Sequence, residues 1–154
     1  KKYSRQLIAA KATPIFDNLS QTVYGDPKWL EFILGQLIAN SIKYKKETLT
    51  LTFSTREEQD NVLLYVSDDG IGIPESELPR IFEKGFTGYN GRTETRSSGI
   101  GLYLSRKIMQ NPPESACICV GNSVIRCICP FLRPLPVGRA QLYRLLFQRI
   151  QDCF

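Results

Sequence analysis

The feature that most constrains the fold is an alternating segment that runs straight into a run of carboxylates and glycines. Asn61 to Ser67 places Val62, Leu64 and Val66 on one face, the period-two pattern of a half-buried strand. It continues directly into Asp68-Asp69-Gly70-Ile71-Gly72-Ile73. A second alternating segment precedes it, with Leu49, Leu51 and Phe53 interleaved with Thr50, Thr52 and Ser54. The polar run Arg56 to Asp60 between them suits a hairpin turn, so the two strands are expected to pair antiparallel.

The segment before these strands has a different period. Leu30, Ile33, Leu34, Leu37, Ile38, Ser41 and Ile42 recur at helical spacing. Asp26 is suited to cap the free amides and Pro27 to the first helical position, which predicts a helix from Pro27 to about Tyr44. An apolar helix stripe lying on two antiparallel strands makes an α+β layer. Residues 2–10 read as the end of a helix. Thr13 to Phe16 and Thr22 to Tyr24 are short strand candidates, with Asn18 as a turn residue.

Beyond the glycines, Pro74 to Phe82 reads as short helical turns. Lys84 to Ser97 contains three glycines and little to bury, which suits a mobile loop. Ser98 to Gln110 resumes helical spacing through Ile100, Leu104 and Ile108, and Asn111-Pro112-Pro113 stops it.

Composition narrows the classes of function. The chain has 154 residues, with 42% hydrophobic and 23% charged side chains, which is ordinary for a soluble domain with a core. No apolar run reaches the roughly 18 residues of a membrane span, and no signal peptide is visible behind Lys1-Lys2. The net charge of +5 is spread without a basic stripe holding interleaved aromatics, so nucleic acid is not an expected partner. There is no His, which removes the commonest general base and metal ligand. All five Cys lie after residue 110, so the main body does not depend on disulfides.

The chemistry available is that of a nucleotide pocket. Asn40, near the end of the long helix, offers a neutral amide oxygen of the kind Mg²⁺ accepts. Asp68 is an acceptor-only carboxylate at a strand end, able to accept from the exocyclic amine of adenine. Gly70 and Gly72 lack Cβ, so backbone can pass close to a flat base. Gly99 and Gly101 open a helix whose free N–H groups and positive dipole end suit phosphate oxygens. Lys43 and Lys84 are available as point charges for the same phosphates. Singly, each has an ordinary explanation: a helix residue, a strand-end turn, close helix packing. In this order and together they describe one pocket.

Residues 1–110 resemble the ATP-binding domain of bacterial sensor histidine kinases, within the superfamily shared with gyrase and mismatch-repair ATPases. Asn40-Ser41-Ile42-Lys43-Tyr44 resembles the family's N box, and Asp68-Asp69-Gly70-Ile71-Gly72 its first glycine box. Ile81-Phe82-Glu83-Lys84-Gly85-Phe86 resembles its phenylalanine box, and Ser98-Gly99-Ile100-Gly101-Leu102 its second glycine box. The wording from Glu77 to Gly88 is similar to kinases that sense bacitracin and related antimicrobial peptides in Gram-positive bacteria.

The resemblance implies an α/β sandwich of the Bergerat type, a mixed sheet covered on one face by about three helices. It implies Mg²⁺ on Asn40, adenine on Asp68, and segment 83–98 closing over the phosphates of ATP. Tyr44, Ile73, Phe82, Ile100 and Leu102 fall in the same motifs and join the implied nucleotide contacts. The implied reaction is transfer of the γ-phosphoryl group to a histidine on a separate dimerisation domain, with a response regulator downstream. The implied location is the cytoplasmic part of an inner-membrane receptor, with the membrane reached only through the parent protein. A nucleotide-binding module of the same fold without catalysis is the alternative. Hydrolytic relatives carry a Glu four residues before the N-box Asn; here Gln36 stands there and cannot take a proton. That favours phosphoryl transfer over hydrolysis and places Gln36 with Asn40 and Lys43 in the catalytic group.

Residues 111–154 depart from the family's pattern and are expected to form a divergent C-terminal segment after a domain spanning 1–110. Ala116 to Val120 and Ser123 to Cys129 are β-prone and flank Gly121-Asn122, a two-residue turn that predicts a hairpin covering the sheet edge. That turn sets Cys117 opposite Arg126 and Cys119 opposite Val124. Alternation then puts Cys127 and Cys129 on the other face, so four sulfurs do not converge on one zinc. Leu142, Leu145, Leu146 and Ile150 predict a short amphipathic helix over Ala140 to Gln151.

Overall fold

The structure, a computed structural model, describes residues 3–19, 27–58, 61–88, 98–110, 117–121 and 124–129. Its elements in order are α1 (Ser4–Ala9), β1 (Ala12–Asp17), α2 (Pro27–Lys43), β2 (Leu49–Glu58) and β3 (Asn61–Asp68). A short 3-10 turn (Leu78–Arg80) follows, then α3 (Gly101–Met109), β4 (Cys117–Gly121) and β5 (Val124–Cys129). One five-stranded sheet runs in the order β1-β2-β3-β5-β4. β1 and β2 are parallel, from Ala12 opposite Leu49 to Asp17 opposite Ser54. Parallel neighbours need a long crossover, and α2 lies in it. All other pairings are antiparallel, so the sheet is mixed.

The core lies between α2 and the sheet. Leu30, Ile33, Leu34, Leu37 and Ile38 of α2 are buried, the stripe expected from the spacing. They join Leu51 and Phe53 of β2 and Val62, Leu64 and Val66 of β3 in one cluster with Leu7 of α1 and Met109 of α3. Phe53 is fully buried, and its ring stacks on Phe16 of β1 with centroids 5.6 Å apart. Such a ring pair contributes about 0.5–1.5 kcal/mol beyond area burial. Asn18, just past β1, takes a positive φ of 48°. Its side-chain amide donates to the Thr55 carbonyl at 3.3 Å, and its own carbonyl accepts from the Thr55 hydroxyl. A residue read only as a turn thereby ties β1 to β2.

Four details differ from the sequence reading. Arg56, Glu57 and Glu58 are the end of β2 and not a turn, pairing with Leu63, Val62 and Asn61. Arg56 and Glu57 are exposed, so a polar run marks strand residues in water at the far end of the hairpin. Leu63 is buried as well as its neighbours, so β3 is covered on both faces at that point. In the last hairpin Gly121, expected in the turn, is a strand residue that pairs with Val124. Cys117 therefore pairs with Ile128 and Cys119 with Arg126. Each pairing is shifted by two from the expected register, which leaves the alternation of positions between faces as expected. The hairpin extends the sheet beyond β3 through β5. In α3 the buried residues are Ser105 and Met109, with Leu102 and Ile108 packed on the core, while Ile100 and Leu104 are 38% and 39% exposed. The Asp26 cap, the Thr22–Tyr24 strand, the 89–97 part of the loop and the Ala140–Gln151 helix lie outside the described residues.

Candidate nucleotide site

The last turn of α2 meets the C-terminal end of β3. Asp68 is the final residue of β3 and Ser41 sits on the α2 face turned to it. The Ser41 hydroxyl donates to Asp68 Oδ2 at 2.7 Å. Asp68 Oδ1 accepts the Gly70 N–H at 3.0 Å, a tight turn in which the carboxylate bonds backbone two residues on. Ile71 N–H then donates to the Tyr44 carbonyl at 3.0 Å, and Tyr44 N–H closes the helix on the Asn40 carbonyl at 2.9 Å. The first glycine segment is thus fastened to the end of α2 by backbone, beside the half-buried Asn40.

The two neighbouring aspartates have different tasks. Asp69 N–H donates to the Thr50 carbonyl at 3.3 Å, and its Oδ1 accepts the Thr50 N–H at 2.7 Å. The Thr50 hydrogen bonds hold the Asp69 carboxyl below the usual carboxylate range, slightly opposed by desolvation. Asp69 is therefore engaged with β2, whereas Asp68 faces the helix that carries Asn40.

The second glycine segment is anchored to the phenylalanine-containing one. Gly85 N–H donates to the Gly99 carbonyl at 3.0 Å. Gly99 has φ 63°, and a Cβ there would lie 2.6 Å from the Phe86 carbonyl oxygen. The two described segments flanking residues 89–97 therefore meet at one place. At the start of the expected loop Gly85 and Phe86 are backbone hydrogen-bonded, Gly85 to Gly99 and Phe86 to the Glu83 carbonyl. Phe82 is half-buried, with the Arg106 guanidinium of α3 5.3 Å from its ring centroid. Arg80 stacks over Phe86 at 4.7 Å and pairs with Glu83 at 3.1 Å.

The remaining singled-out residues fall as follows. The Gln36 side-chain amide lies directly against Gly101, the first residue of α3, where a Cβ would collide with it. That contact brings the α2 residue expected to matter for chemistry onto the helix N-terminus expected to face phosphate. Lys43 Nζ lies 4.8 Å from the Tyr44 ring centroid. Gly72 and Ile73 are half-buried, Lys84 is exposed, and Ile100 precedes α3 at the surface. Leu102 packs on the hydrophobic core. Ser41 was read from the sequence only as a member of the helix stripe. The available signal was a hydroxyl among seven stripe positions otherwise occupied by aliphatic residues, immediately after Asn40.

A mixed sheet backed by helices, with an aspartate at a strand end against the terminus of α2 and a second glycine segment against Gln36 of the same helix, is the frame in which the chain's class is recognised. Residues 25–116 match the family described as histidine kinase-, DNA gyrase B- and HSP90-like ATPase, and the chain belongs to that family. Over 86 residues it is 43% identical to sensor protein kinase GraS of Staphylococcus aureus strain JH1, covering 56% of this chain and 25% of the relative. The same figures hold for the sensor histidine kinase GraS of strain Mu50. The chain thus spans about a quarter of the length of the curated relatives it matches.

Among solved structures, the mycobacterial sensor histidine kinase MprB superposes with a TM-score of 0.66 at 19% identity, over 85% of this chain and 93% of that one. The catalytic domain of histidine kinase ThkA gives 0.66 at 23%, over 83% and 85%. Full-length ShkA in complex with AMPPNP gives 0.68 at 16%, over 87% and 28%. At these identities the likeness is one of fold, and it is the α/β sandwich of histidine kinase catalytic domains that the motifs led one to expect.

Proposed function

We propose that this chain is the ATP-binding catalytic domain of a two-component sensor histidine kinase. It transfers the γ-phosphoryl group of Mg-ATP to a histidine on a separate dimerisation domain of the same receptor. The observation that carries this reading is Asp68, a carboxylate held at a strand end by Ser41 and the Gly70 N–H, beside Asn40. The sensor-kinase relatives support the same reading.

In this proposal Asp68 accepts from the adenine amine, and Gly70 and Gly72 bring backbone to the base, with Tyr44, Ile73 and Ile100 around it. Gly99 and Gly101 present N–H groups to phosphate oxygens, and Lys43 and Lys84 add charge. Phe82 and Leu102 complete the nucleotide contacts. The half-buried Asn40 amide suits a cation that prefers neutral and water oxygens, so Asn40 would hold Mg²⁺, which when bound neutralises phosphate charge. Gln36 is an amide against Gly101, and it supplies no base for an attacking water.

Residues 1–110 constitute the ATP-binding domain in this reading and 111–154 a divergent segment whose hairpin extends the sheet. A response regulator is the downstream partner. The parent receptor, similar to kinases sensing antimicrobial peptides, supplies the membrane attachment and puts this part on the cytoplasmic side. Nucleic acid has no role.

The test is phosphotransfer. Incubated with Mg-ATP and a histidine-bearing helical dimerisation domain, the chain should label that domain with acid-labile phosphate. The chain alone should remain unlabelled on nitrogen, since it has no His. ATP binding without transfer to any supplied domain would instead identify a nucleotide-binding module without catalysis.

A further inference from the structure

Two buried serines on helices use their hydroxyls in different ways. Ser105 of α3 donates to the Gly101 carbonyl at 3.0 Å, four residues back. That is the ordinary outlet for a serine inside a helix. Ser41 of α2 reaches across 27 residues of sequence to Asp68 Oδ2 at 2.7 Å. The other Asp68 oxygen takes the Gly70 N–H. The carboxylate is therefore gripped at both oxygens, from a helix on one side and from its own turn on the other.

This arrangement has a chemical consequence. A hydroxyl carries one proton. With that proton committed to Asp68, Ser41 can offer only lone pairs to anything else nearby. A carboxylate such as that of Asp68 likewise offers only lone pairs. We propose that Ser41 is a positioning residue for base selection: it fixes the Asp68 carboxylate so that the pair favours a purine bearing a 6-amino group. A 6-oxo purine would meet lone pairs with lone pairs. This inference rests on the nucleotide reading above and assigns the selectivity of that site to a residue on α2.

The test compares ATP with purine riboside triphosphate, which keeps the sugar and phosphates and lacks only the 6-amino group. Both are titrated into the full chain with Mg²⁺ present. The wild type should bind ATP about tenfold more tightly, the scale of one hydrogen bond to a charged group. Ser41→Ala should bring that ratio to within about twofold by loosening Asp68, while affinity for the deamino nucleotide stays near wild type. Ser41→Cys fills similar space with a weak donor and should also lower the ratio; Ser41→Thr keeps the hydroxyl and should restore it. Equal losses for both nucleotides in Ser41→Ala would show a purely structural hydroxyl and overturn the inference. So would an unchanged ratio in Ser41→Ala alongside a collapsed ratio in Asp68→Asn, an outcome that leaves the nucleotide site standing. A wild type that binds both nucleotides equally would overturn this inference and leave a nucleotide site standing, whereas one that binds neither would overturn the nucleotide reading and this inference with it.

Discussion

Gly70 lies against the carbonyl of Tyr44: a Cβ on residue 70 would sit 2.6 Å from that oxygen and 2.8 Å from Asp68 Oδ1. The same Tyr44 carbonyl accepts the Ile71 N–H at 3.0 Å, so the obstacle is pinned backbone and cannot swing aside. Gly70→Ala is therefore expected to cost about 1–3 kcal/mol in stability, as overpacking does. It should also separate Asp68 from Ser41 and weaken ATP binding. Urea unfolding and ATP titration of the same variant check both effects; an unchanged midpoint would refute the close approach.

Asp68 and Asn40 should be separable by what they bind. Asp68→Asn is expected to weaken ATP by about 1.5–3 kcal/mol, the value of a hydrogen bond to a charged group. Asn40→Ala should remove the Mg²⁺-dependent part of the affinity and leave the metal-free part. Calorimetry with and without Mg²⁺ distinguishes them, and the absence of ATP binding by wild type in Mg²⁺ would end the proposal.

Gly99 joins a left-handed φ to a close approach. Gly99→Ala should cost at least about 1–2 kcal/mol from backbone conformation alone. The Gly85 N–H, which Gly99 accepts, should then exchange with solvent faster. Gly101→Ala meets only the end of the Gln36 side chain and should be milder in stability. Amide exchange at Gly85 in the two variants gives the comparison, and equal protection in both would contradict it.

Asp69 predicts an acid-side effect. Its pKa is lowered in the folded state by the Thr50 hydrogen bonds. A depressed carboxyl contributes stability above its unfolded pKa and loses it as pH falls through the folded value. Wild type should therefore exceed Asp69→Asn by a constant margin above about pH 5, and the margin should shrink below about pH 4. Unfolding midpoints measured from pH 6 down to pH 2.5 supply the check; a margin that grows on acidification would have the wrong sign.

What the sequence determined by itself was local. The 3.6-residue recurrence from Leu30 to Ile42 specified α2, and alternation specified β2 and β3, because each pattern is imposed by the geometry of one element. The order of the glycine segments and Asn40 carried the resemblance to sensor histidine kinases, and that resemblance implied the α/β sandwich. The tertiary structure decided what depends on distant partners. The parallel pairing of β1 with β2, and β3 as the strand on which the expected hairpin pairs, leave no periodic trace in the strands. Arg56 to Glu58 looked like a turn because solvent exposure and turn formation select the same polar residues, and only the ladder with Leu63 to Asn61 distinguishes them. Ser41 shows the limit most clearly. A serine on a helix ordinarily bonds its own backbone, as Ser105 does, and the place of Ser41 in an aliphatic stripe does not say which distant residue it meets. Its hydroxyl reaches Asp68 because α2 packs across the end of β3, and that placement is set by the shared core and not by either segment alone.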